Sequence, residues 1–163
     1  LDVIATGAIT QDGTQVEVTG AATFNANGND ITLFDAQNNF SGAVSADGMN
    51  VVLRDGGSIQ LGTISATTLD VTARAGGSIT QDASSIVVSG ASSFTATDND
   101  ITLTDADNDF GGNVVIVGAA VQVDDTDDVT FGAVTATGDF TVDAGGSIDF
   151  AGAASVGGNL AAD

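Results

Sequence analysis

Asn99-Asp100-Ile101-Thr102-Leu103 repeats Asn29-Asp30-Ile31-Thr32-Leu33 letter for letter. The match is not local. Gly77-Ser78-Ile79-Thr80-Gln81-Asp82 answers Gly7-Ala8-Ile9-Thr10-Gln11-Asp12, and about 25 of the 60 positions from Gly7 to Ala66 are identical in Gly77 to Ala136 without a gap. A third copy opens at Gly145-Gly146-Ser147-Ile148. The chain therefore reads as one segment, 1–163, with sequence repeats at 7–76 and 77–144 and a partial one at 145–163, a piece of a longer array. Repetition of this length marks stacked units that bury one another's apolar faces. It also duplicates most side chains, so a single unique catalytic centre is not expected.

The short apolar runs set the geometry. Ile31-Thr32-Leu33, Val51-Val52-Leu53, Leu69-Asp70-Val71, Ile101-Thr102-Leu103, Val121-Gln122-Val123 and Phe140-Thr141-Val142 place apolar side chains at i and i+2, the period of a strand with one face buried. Gly, Asn and Asp punctuate them, as turns require. Ile31 to Val51, Ile101 to Val121 and Phe140 to Leu160 are each 20 residues apart, and Val121 to Phe140 is 19. An antiparallel sandwich has no reason for such a beat, whereas three short strands every 20 residues describe the coil of a parallel β-helix. The expectation is all-β: a right-handed parallel β-helix of about eight coils, each pairing with the next at about 4.8 Å, so about 40 Å long. Ile79 to Ile101 is 22 residues, which predicts one longer coil or a bulge per repeat around 77–97. Phe24 and Phe94, Phe40 and Phe110, and Leu61 and Phe131 are repeat counterparts, and their shared bulk predicts an interior filled coil by coil.

Composition excludes several classes. The chain has 42% hydrophobic residues, too many for a disordered acidic chain, and no Cys, so disulfides and thiol chemistry are absent. Twenty-one Asp and Glu17 face only Arg54 and Arg74, for a net charge of −20. That surface repels nucleic acid and anionic lipid, and no apolar run is long enough to span a membrane. Residues 1–20 also lack the basic start of a signal peptide.

At this point the repeats resemble a known family. Gly-Ser-Ile-Thr-Gln at 77–81, Ser-Gly-Ala-Ser-Ser-Phe-Thr-Ala at 89–96, Asn-Asp-Ile-Thr-Leu at 99–103, Asn108-Asp109-Phe110-Gly111-Gly112 and Gly145-Gly146-Ser147-Ile148 are similar to the repeats of filamentous-haemagglutinin-like exoproteins. These are large bacterial surface adhesins. The resemblance implies a β-helical shaft, an extracellular or bacterial cell-surface location, and no catalytic residues to carry over.

Catalytic residue sets are sparse beside that reading. β-Helical lyases need a cationic base and hydrolases a carboxylate pair in a sugar cleft. Here Lys, His, Trp and Tyr are absent, and the counterpart of Arg54 is Asp124, so no enzyme is expected. Cations are the natural companions of this charge, with no cofactor required but Ca²⁺ possible. Asp105, Asp107 and Asp109 alternate, and Asp124, Asp125, Asp127 and Asp128 cluster, offering hard oxygens of the kind Ca²⁺ takes. The first repeat, with Asp35-Ala36-Gln37-Asn38-Asn39, drops two of these carboxylates, and neither an EF-hand nor a β-roll motif is present. Solvated acidic turns are the plainer account. The Thr-x-Thr pairs at Thr95-Ala96-Thr97 and Thr135-Ala136-Thr137 suggest an ice-binding row, but Asn25, Asn27 and Ser65 interrupt it. The functional expectation is a structural shaft segment of an adhesin or surface filament. The alternative is a carbohydrate- or receptor-binding β-helix. The partners expected are further copies along the rod and, through divalent cations, neighbouring rods. One charge per roughly 2 Å of rod approaches the density of duplex DNA.

Overall fold

The structure is a computed structural model that describes residues 1–74 and 76–163. These residues form twenty strands and no helix. Every strand pairing is parallel and joins strands about one coil apart. The fold is the expected β-solenoid of about eight turns.

Two ladders show how the coils climb. The first runs Ile9, Ile31, Val51, Leu69, Ser92, Val114. The second runs Ile59, Ile79, Ile101, Val121, Phe140, Leu160. All four spacings read from the sequence are direct register pairs. The longer coil expected around 77–97 is also present, because Ile79 pairs with Ile101. It is not alone. The steps from Ile9 to Ile31 and from Ser92 to Val114 match it in length, and the step from Leu69 to Ser92 is slightly longer still.

Short coils compensate. The step from Val51 to Leu69 is the shortest on either ladder. Here Val44–Asp55 and Ile59–Ala73 run on as long strands with little turn between faces. The register slips between Val44 and Ala46, and again at the counterpart positions Val114 and Ile116, as a β-bulge does when one strand carries an extra residue.

Alternation decides which side chains enter. In Ile31–Leu33 and Ile101–Leu103 the outer two residues are buried and the central Thr is half-exposed. The core is a column of Ile, Val, Leu and Phe in which Phe94, Phe110, Phe131 and Phe140 are fully buried. Phe24 meets Phe40 edge-on at 6.1 Å, and Phe94 meets Phe110 at 5.8 Å, so the same aromatic pair recurs in each repeat. Glycine marks a corner where backbones touch. A Cβ on Gly42 would lie 2.6 Å from the backbone of Gly20, and one on Gly112 would lie 2.5 Å from that of Gly90.

Candidate functional site

The acidic runs 105–109 and 124–128 lie on neighbouring coils, joined by Thr126 N–H donating to the Asn108 carbonyl at 2.7 Å. Their carboxylates do separate jobs. Asp125 is buried, 4% exposed, and accepts from Phe110 N at 2.8 Å and Asp127 N at 3.0 Å. Asp55 does the same in the first repeat, from Phe40 N at 2.8 Å and Gly57 N at 2.7 Å. Desolvation pushes both carboxyls above their ordinary value, while the two N–H donors pull the other way. Asp128 accepts from Ser147 N at 2.6 Å, one coil on. Asp105 closes its own turn through Asp107 N at 3.1 Å, as Asp35 does through Gln37 N at 2.8 Å.

The remaining acids face outward. Asp107 and Asp127 are exposed, and Asp109 is half-buried in a strand beside Val87. Asp124 stacks in register on Asp143. Burial, and secondarily the Asp143 charge, raise its carboxyl above the usual value. Among the described residues no group of three or more acidic side chains is gathered to hold a metal ion. The seven acids predicted as Ca²⁺ ligands are thus neighbours in the fold, and like charges meet at Asp124 with Asp143 and at Asp125 with Asp127.

An amide clamp is the feature sequence reasoning missed. Asn108 and Asn38 are fully buried. The Asn108 side-chain oxygen accepts from Gln81 Nε2 at 2.6 Å and Ile86 N at 2.9 Å, and Asn108 Nδ2 donates to Gln81 Oε1 at 3.1 Å. Gln81 Nε2 also donates to the Ser84 carbonyl at 2.7 Å. Gln11 and Asn38 repeat this, with Val16 N at 2.9 Å and the Thr14 carbonyl at 2.7 Å. The clamp ties one coil's corner to the next and satisfies buried amides that would otherwise be costly. One hint was in the sequence, since Gln11 and Asn38 are both unchanged at Gln81 and Asn108.

The outer surface varies between repeats. Arg54 donates to Asp70 at 3.3 Å, where the second repeat has Asp124 against Asp143. The Thr row is broken on its ladder too, because Val117 stands between Thr95 and Thr135. A shallow groove of about 290 Å³ crosses three coils over Thr23, Asn25, Ser45, Asp47, Thr63 and Ser65.

A parallel ladder with buried Asp and Asn at a corner that recurs in each repeat defines a repeat protein of the β-solenoid class. Its sequence matches, at residues 1–47, 48–117 and 118–163, a family described as repeats of unknown function (DUF5649), and the chain belongs to that family. The central match, 48–117, is as long as the chain's internal repeat. No curated protein matches the chain, and no solved structure does.

Proposed function

We propose that this chain is a length of stiff rod, a structural shaft segment of an extracellular bacterial adhesin or surface filament that holds a distal binding region away from the cell. The observation that carries the reading is the pair of ladders running in register from coil to coil around an unbroken apolar column. Each coil's backbone hydrogen bonds are made to its neighbours, so bending or unravelling the rod breaks several at once. The likeness of the repeats to those of filamentous-haemagglutinin-like exoproteins supports the adhesin setting. The reading is non-catalytic: the most buried carboxylates, Asp55 and Asp125, are occupied by backbone N–H groups.

The groove over Thr23, Asn25, Ser45, Asp47, Thr63 and Ser65 favours the alternative, a direct carbohydrate- or receptor-binding module, because its hydroxyls and amide are spaced along three coils. Glycan arrays and cell-binding assays on the isolated segment separate the two. A shaft gives no binding above background and resists protease, whereas saturable glycan binding abolished by Asp47→Ala replaces the shaft reading.

The same rod gathers cations along its acidic surface, further copies extending it axially and divalent ions bridging neighbours. The stacked Asp124–Asp143 pair is the natural first place for Ca²⁺. CaCl₂ should raise the melting temperature or promote side-by-side association more than NaCl of equal ionic strength. Equal effects leave only a counterion atmosphere.

A further inference from the structure

The sequence repeat, which carries Ile9 to Ile79 and Ile31 to Ile101, is not a whole number of coils. The ladder from Ile9 to Val114 takes five steps, and at its mean step the repeat spans three coils and about a third of a fourth. In a three-sided solenoid the extra third moves every repeated residue to the next face.

Register pairs bear this out element by element. Ile79, Ile101 and Val121 are the counterparts of Ile9, Ile31 and Val51, yet they stand on the ladder of Ile59. The ladder of Ile9 passes instead through Leu69 and Ser92. Ala22–Asn25 shares its ladder with Ala46, Ile64 and Ile86. Its counterpart, Ser92–Ala96, lies on the ladder of Ile9. Glu17–Val18 pairs with Asn39–Phe40 in a small sheet of its own. The counterpart pair, residues 87–88 with Asp109–Phe110, has joined the ladder of Ala22–Asn25. All three faces shift by one, in chain order.

We propose that, wherever this repeat recurs in series, each repeat is turned by one face, so that three repeats and ten coils return a residue to its starting face. A surface feature present once per repeat is then displayed on three lines around the rod. The acidic turns that recur, Asp12 and Asp82, Asp30 and Asp100, and Asp35 and Asp105, wind around the axis and leave no side free of them. A second copy of the array meets the same surface from three directions, which favours bundles over ribbons. This inference is independent of the shaft reading, because it concerns how the repeat stacks and not what the rod carries.

Engineered disulfides test it cleanly, since the chain has no Cys of its own. Gln60 and Thr80 are register partners across the repeat junction, as are Ser65 and Val87. In a repeat of whole coils Thr80 would instead fall on the ladder of Thr32 and Val52, where Thr10 stands in the first repeat. Under mild air oxidation, which removes two hydrogens from a thiol pair and passes them to oxygen, Gln60→Cys/Thr80→Cys and Ser65→Cys/Val87→Cys should both close. Val52→Cys/Thr80→Cys should stay open. Thr32→Cys/Val52→Cys closes in either arrangement and reports that the variants are folded. Closure of 52/80, or failure of both junction pairs while 32/52 closes, overturns the rotation.

Discussion

The two repeats differ most where they face water and least where one coil meets the next. Inside, the first repeat has Phe24–Phe40, Gln11–Asn38 and Asp55, and the second has Phe94–Phe110, Gln81–Asn108 and Asp125, each pair and each Asp held by corresponding partners. Outside, Arg54 forms an ion pair with Asp70 in one, whereas its counterpart Asp124 stacks on Asp143 in the other. The closing of coils thus rests on a small set of buried groups, and the surface is free to change sign. The comparison can be broken, first, at its aromatic pair. Phe94→Ala should cost about 3–5 kcal/mol, because Val71 and Ile116 hold it from both neighbouring coils and the cavity cannot collapse. Phe24→Ala should cost less, since the coil beneath it contributes only the half-buried Val3. Thermal unfolding followed by far-UV circular dichroism ranks the two. Equal losses would mean that both pairs are packed alike.

The amide clamp comes next. Asn108→Ala leaves Ile86 N–H and the Gln81 side chain without their buried partner, and about 2–3 kcal/mol should be lost. Asn38→Ala should be milder, because Asn108 also donates to the Asp124 carbonyl at 3.3 Å on the coil above. Denaturant melts of both variants settle the order.

What could be read in advance divides along the same line. Strand period, coil spacing and the inward Phe positions were legible, because alternation and a fixed beat are properties of the chain itself. The clamp was not, because Gln11 and Asn38 are 27 residues apart and only the coil geometry brings them together. The separate roles of the acids within each run were hidden for the same reason. A string of Asp looks like a ligand set, but whether a carboxylate faces water or a backbone N–H depends on the coil stacked upon it, as Asp125 and Asp128 show. The short coil at 44–73 was also hidden, since it follows from long strands that run past a corner without a turn signal.

Acidity should act oppositely on two kinds of carboxylate. Asp55 and Asp125 have raised folded values, so the folded state holds their protons more tightly than the unfolded chain does. Stability from them grows as pH falls through the interval between the ordinary and the raised value, and it is lost as pH climbs back. Asp12 is held below its ordinary value by the Thr14 N–H, and its contribution disappears only at still lower pH. The net charge of −20 also relaxes on acidification. The melting temperature should therefore peak on the acid side of neutral, and Asp125→Asn should shrink that rise. A profile that falls steadily from neutral pH downward would contradict the assignment.

Exchanging the surface charges gives a smaller effect. Asp124→Arg replaces a like-charged cross-strand pair by an ion pair with Asp143 and should gain about 0.5–1 kcal/mol at low salt. Arg54→Asp should lose a similar amount. Both effects should fade in 1 M NaCl, where the screening length is roughly 3 Å. Asp124→Arg should also remove any Ca²⁺-specific rise in melting temperature, if that pair is where the ion binds.

The smallest expected effect lies in one turn. Residues 26–29 close with Asn29 N donating to the Ala26 carbonyl at 3.1 Å, and Asn27 and Gly28 take φ of 48° and 77°. Residues 96–99 close with Asn99 N donating to the Ala96 carbonyl at 2.9 Å, but here only Asp98, a non-glycine residue in the place of Gly28, takes a left-handed φ, of 61°. An L-residue pays for that conformation through its Cβ, although Asp tolerates it better than most. Asp98→Gly removes the steric cost and one negative charge, while the unfolded chain gains freedom that partly offsets both. A net gain of up to about 0.5 kcal/mol is expected, and Gly28→Asp should lose a similar amount. If Asp98→Gly lowers the melting temperature instead, the aspartate side chain stabilises its turn by more than the backbone strain costs, and the two turns differ in what holds them as well as in path.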